Sequence, residues 1–141
     1  MHYTYLYNKN SVSVYVDSTK NILYVEILDN TWDRECLVEI LEYIKNFWIL
    51  VSNTNDKYYQ IFIWKEVGIY PLDYYEKFLN CLRSLEDIFK SNLNSSCLVN
   101  DSDGINILRP ILNSYKAQRP FCFVKTLEEG LTFCKNNNLE I

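Results

Sequence analysis

Histidine is almost missing from these 141 residues: His2 is the only one, and it stands at a chain end, where backbone order is weakest. Serine–histidine and cysteine–histidine nucleophile pairs, and histidine-based zinc sites, therefore lack their base or ligand. Glycine is nearly as scarce. Gly68, Gly104 and Gly130 stand alone, so neither a Gly-x-Gly-x-x-Gly turn nor a lysine-bearing phosphate loop can be assembled. The 14 basic residues are outnumbered by 18 acidic ones, for a net charge of −4, and are scattered along the chain. That argues against nucleic acid as a partner, because no basic stripe can replace phosphate counterions. No apolar run reaches the length of a bilayer span, and Met1 to Tyr7 lacks the basic-then-apolar order of an export signal. The expectation is a cytoplasmic protein without membrane insertion.

What is present describes an ordinary globular domain. Hydrophobic residues make up 48% and charged residues 23% of a chain whose length suits one α/β unit spanning residues 1–141. The five cysteines, Cys36, Cys81, Cys97, Cys122 and Cys134, are odd in number and form no Cys-x-x-Cys pair. Most fall in apolar runs, so they are expected as reduced, buried thiols. Ala117 is the only alanine, and Asn, Ile, Tyr and Lys are abundant. This bias fits AT-rich coding, as in many large DNA viruses and some protists; a viral origin would move the expected location to host cytoplasm or virion.

Periodicity gives the elements. Val12, Val14 and Val16 alternate with Ser11, Ser13 and Tyr15, the signature of a half-buried strand. Ile22 to Leu28 follows after a five-residue polar link too short for a crossover, so the two form an antiparallel hairpin whose first arm Tyr3 to Tyr7 extends. From Asp33, Leu37, Leu41, Ile44, Trp48 and Val51 share one helical face. Tyr58 to Trp64 is an unbroken β-branched and aromatic run, read as a central strand covered on both faces. Pro71 opens what is predicted as the longest helix, with Leu72, Tyr75, Leu79, Leu82 and Phe89 inward and Phe78, Leu85 and Ile88 widening the stripe. A short strand over Ser96 to Asn100 leads through Asp101-Ser102-Asp103-Gly104 into a helix with Leu108, Ile111, Leu112 and Tyr115 inward and Pro110 near its start. Phe121 to Val124 is the last strand, and Thr126-Leu127-Glu128-Glu129 matches a capping box opening the last helix. The order β-β-α-β-α-β-α-β-α predicts an α/β fold: a mostly parallel or mixed sheet with an N-terminal hairpin and right-handed helical crossovers.

This order resembles the STAS domain of sulfate transporters and anti-sigma-factor antagonists, over Val12 to Asn138. Val25-Glu26-Ile27-Leu28-Asp29-Asn30 is similar to the family's second strand and turn, and Phe121 to Gly130 to its closing strand and acidic helix. The phosphoswitch members start the helix after the central strand with Asp-Ser-Ser/Thr-Gly. Here that place reads Lys65-Glu66-Val67-Gly68-Ile69-Tyr70-Pro71, with no hydroxyl to phosphorylate. The resemblance then implies a domain that binds a protein or small ligand without chemistry of its own.

In a parallel sheet the strand C-termini gather on one edge, which brings Glu66, Asp101, Asp103, Lys125 and Thr126 together. Tyr70 joins them, one of a tyrosine set with Tyr58, Tyr59, Tyr74 and Tyr75 of which some should be exposed for contact with a partner. The candidate partner or ligand edge is thus Glu66, Tyr70, Asp101, Asp103 and Lys125. Neither a catalytic set, a metal site nor a cofactor is expected. Asp101 to Gly104 fails as a calcium loop because Val99 and Pro110 occupy the first and last ligand positions, and helix capping accounts better for its aspartates. Cys97 and Cys122, in apolar strands, are read as packing. The expected function is a non-catalytic protein-interaction module, acting on a protein partner or by self-association. The alternatives are a ligand-binding protein or enzyme using the acidic edge, and a structural component of a viral particle.

Overall fold

The computed structural model describes residues 3–9, 11–29, 33–65, 71–101, 106, 109–110, 113 and 115–138. Its strands are β1 (Tyr3–Lys9), β2 (Val12–Asp17), β3 (Ile22–Ile27), β4 (Tyr58–Trp64), β5 (Leu93–Val99) and β6 (Phe121–Val124). The helices are α1 (Arg34–Ser52), α2 (Leu72–Ser84), α3 (Glu86–Asn92) and α4 (Leu127–Lys135). The six strands lie side by side in chain order. β1, β2 and β3 pair antiparallel, and β3 to β6 run parallel. This is the expected α/β sheet with an antiparallel opening and helical crossovers.

Local chemistry explains most boundaries. Asp17 accepts hydrogen bonds from the Thr19 amide and hydroxyl and from the Lys20 amide, an aspartate-centred turn that reverses the chain between β2 and β3. Asn21 completes the turn with φ of 55°, a left-handed conformation that asparagine tolerates. Asp33 caps α1 by accepting from the Cys36 amide at 2.9 Å. Thr126 caps α4 by accepting from the Glu129 amide at 3.1 Å, the first half of a capping box, while the Glu129 carboxylate turns back to accept from the Thr126 hydroxyl at 3.2 Å.

Four expectations need correction. Tyr3 to Tyr7 does not lengthen β2; it belongs to a separate edge strand, β1, which pairs with β2 through a register shift between Tyr5 and Tyr7. The helix after Pro71 is two helices, because Leu85 leaves helical geometry at φ −104°, ψ 7° and serves both as the end of α2 and the start of α3. The Ser84 hydroxyl donates to the Cys81 carbonyl just before that break, and the 19-residue α1 is therefore the longer helix. On α1, Ile40 is fully buried and Leu41 only partly, and on α2 Leu72 is exposed where Tyr74 is buried. β5 begins at Leu93, three residues before the predicted start. Of the helix predicted after Gly104, Asn106, Arg109 and Pro110 are helical, and Tyr115 packs against the core; Leu108, Ile111 and Leu112 lie outside the described residues.

Two cores follow from the strand alternation. On one face, Val12, Val14, Leu23, Val25, Phe62 and Leu98 meet α1, α2 and α3. On the other, Ile61, Ile63, Cys97 and Val99 meet Cys134 of α4. α4 leaves the β1–β3 half of that second face to tyrosines. Tyr15 and Tyr24, opposite each other in the ladder, stack at 4.9 Å between ring centroids, with Tyr3 and Tyr5 against them. No helix among the described residues is long and apolar enough to cross a membrane.

Candidate functional site

The ends of β3, β4, β5 and β6 are tied together by backbone and by one asparagine. The Lys65 amide donates to the Ile27 carbonyl and the Asn100 amide to the Val124 carbonyl, each at 2.9 Å. The buried Asn100 side chain donates to the Trp64 carbonyl. Beside this junction, on the face that carries α4, lies a cleft of about 370 Å³. Ile63 and Val99 provide its apolar lining, and Thr126 and Leu127 at the start of α4 form one wall.

Among the described residues four charged side chains border it: Glu26, Lys65, Asp101 and Lys125. Glu26 is half-buried and accepts a 3.0 Å hydrogen bond from the Tyr15 hydroxyl. Burial first, and then the Glu26 carboxylate, push the Tyr15 hydroxyl well above its ordinary range, so it remains a proton donor that orients Glu26. Lys65, Asp101 and Lys125 are exposed. The start of α4 is not a vacant anion site, since Thr126 caps it and Glu128 and Glu129 occupy its first turn.

The structure thus brings Asp101, Lys125 and Thr126 of the predicted edge to one cleft. Glu66, Tyr70 and Asp103 lie outside the described residues. Glu26 and Lys65 are additions. Their signal in the sequence is a carboxylate in the otherwise apolar run Ile22–Leu28 and a cation directly after β4. Of the tyrosine set, Tyr74 and Tyr75 are buried, Tyr58 and Tyr59 are half-buried and Tyr70 lies outside the described residues; among the described residues Tyr3, Tyr5 and Tyr43 are exposed.

Chemically, the described residues of the cleft offer two carboxylates and two ammonium groups over an apolar lining, a set able to pair with polar groups of either charge. Among the described residues no group of three or more histidine, cysteine, aspartate or glutamate side chains is placed to hold a metal. All five cysteines are free thiols. Burial pushes Cys81 and Cys122 up to about 11, and Cys97 is raised further by donating to Cys134 and by burial. These groups stay protonated near neutral pH and serve packing. No family model, curated protein or solved structure matches the chain.

Proposed function

We propose that this chain is a non-catalytic, STAS-like recognition module that engages a protein partner through the cleft at the C-terminal ends of its parallel strands. The observation that carries this reading is the gathering of Glu26, Lys65, Asp101 and Lys125 around one cleft beside Ile63 and Val99. Open α/β sheets present ligands and partners at this edge. Charges of both signs on an apolar lining favour recognition through complementarity. The antiparallel opening followed by parallel strands in chain order supports the STAS-like part of the reading.

Affinity capture from lysate with the wild type and a folded Lys65→Ala/Asp101→Ala/Lys125→Ala variant, read by mass spectrometry, tests it. A partner held by the wild type and lost by the variant is expected. Capture of the same proteins by both would remove the cleft from the interaction. A second reading, a small polar ligand, is favoured by the cleft volume, which falls in the range of about 300–1,000 Å³ common for ligand sites. A metabolite that raises the melting temperature of the wild type and not of the variant would favour it over the first.

A further inference from the structure

Among the described residues β6 ends the sheet: one of its edges pairs with β5 and the other with no strand. The Ser96 amide donates to the Pro120 carbonyl at 3.0 Å and the Asn100 amide to the Val124 carbonyl at 2.9 Å. Backbone groups alternate in direction along a strand. Pro120, Cys122 and Val124 therefore address β5, while the N–H and C=O groups of Phe121 and Phe123 point away from it. Among the described residues those outward groups have no partner in the sheet.

Alongside this edge runs a wide groove of about 760 Å³, lined by Arg109, Tyr115, Gln118, Arg119, Phe121 and Phe123 among others, and none of the described residues that line it carries a carboxylate. The Arg109 guanidinium lies over the Phe123 ring, 4.7 Å from its centroid. Arg119 donates to the Leu93, Asn94 and Asn138 carbonyls; those bonds fix its position and leave its charge unneutralised. Neither arginine pairs with a carboxylate among the described residues. In a chain of net charge −4, the described residues make this groove a local positive strip beside strand backbone that has no sheet partner among them, and none of them lines both it and the cleft at the strand ends.

We propose that this groove docks an extended, acidic segment of a partner protein, which adds to β6 as a seventh strand. The outward Phe121 and Phe123 groups supply main-chain pairing, and Arg109 and Arg119 select carboxylates. Unpaired N–H and C=O groups choose a peptide over a nucleic-acid strand, which has no matching ladder to offer. Because β6 has only four residues, the edge is too short to promote open-ended self-pairing, so the charge contacts set the specificity.

The test is fluorescence anisotropy with a labelled short peptide that alternates glutamate and threonine. Its controls are a lysine–threonine peptide, an N-methylated form of the acidic peptide and an oligothymidine strand. Saturable binding of the acidic peptide alone is expected, weakened about tenfold or more by Arg109→Glu, as befits loss of one charge-assisted contact. Arg109 is exposed and its contact with the Phe123 ring is a surface one, so this variant still folds, with a melting temperature within about 5 °C of the wild type. Binding should also slow amide exchange at Phe121 and Phe123. Absence of saturable binding, indifference to Arg109→Glu or to N-methylation, or preference for the lysine peptide or the oligonucleotide would each overturn the proposal.

Discussion

Trp48 Nε1 donates a 2.9 Å hydrogen bond to Gln60 Oε1, joining α1 to the central strand β4 at a point where the two residues are 0% and 1% exposed. A polar pair at this depth persists because each member satisfies the other. Phe89 packs edge-on against the Trp48 ring at 5.1 Å and holds it in place. Gln60→Leu would keep the volume and strand the indole N–H away from water. The expected loss is about 1–3 kcal/mol in urea unfolding, the usual cost of a buried unmade bond. In a Trp48→Phe background, with no donor left to strand, the same substitution should cost less than half as much. Equal losses in both backgrounds would show that the bond contributes nothing.

Gly130 marks where α4 comes down onto the sheet. A Cβ built there would lie 2.8 Å from Cys97 Sγ and 3.4 Å from Val124 Cγ2. Replacing a helix glycine by alanine ordinarily gains about 1 kcal/mol. Here overpacking should dominate, for a net loss of about 1–3 kcal/mol. Cys97→Ala removes the sulfur in the way, so Gly130→Ala should become neutral or stabilising in that background. Thermal unfolding of the four variants of this cycle measures it, and an unchanged penalty would place the conflict elsewhere.

The parts of this fold that were legible in the sequence are those fixed by neighbours in the chain. Val12, Val14 and Val16 announce their strand by alternation, and Thr126 and Glu129 announce a helix start through a reciprocal pair three residues apart. β1 was obscured because tyrosine occupies positions 3, 5 and 7 and reads equally well as inward or outward. The break at Leu85 was invisible because a buried leucine continues the apolar stripe whether the helix runs on or turns. Of the candidate site, Asp101 and Lys125 were legible, since Lys125 directly follows β6 and Asp101 is separated from β5 only by Asn100. Glu26 was not. It reaches the cleft through the parallel register that sets it opposite Ile63, a relation between residues far apart in sequence that no local pattern encodes.

Asp17 gives a pH dependence whose sign can be worked out. Burial raises its pKa, but the hydrogen bonds from the Thr19 hydroxyl and amide and from the Lys20 amide outweigh it and leave the folded-state value below the ordinary one. The folded protein therefore binds this proton less readily than the unfolded chain does, and the carboxylate stabilises the fold wherever it is ionised. That contribution is complete above the unfolded value of about 3.9 and is lost as pH falls through the lower folded value. Asp17→Asn keeps one acceptor oxygen and loses the charge, so it should cost about 1 kcal/mol near neutral pH. The difference between wild type and variant in urea unfolding should hold from pH 8 down to about pH 5 and shrink below about pH 4. A difference that stayed constant into the acid range would assign the loss to the shape of the turn, and one that grew on acidification would reverse the sign of the shift.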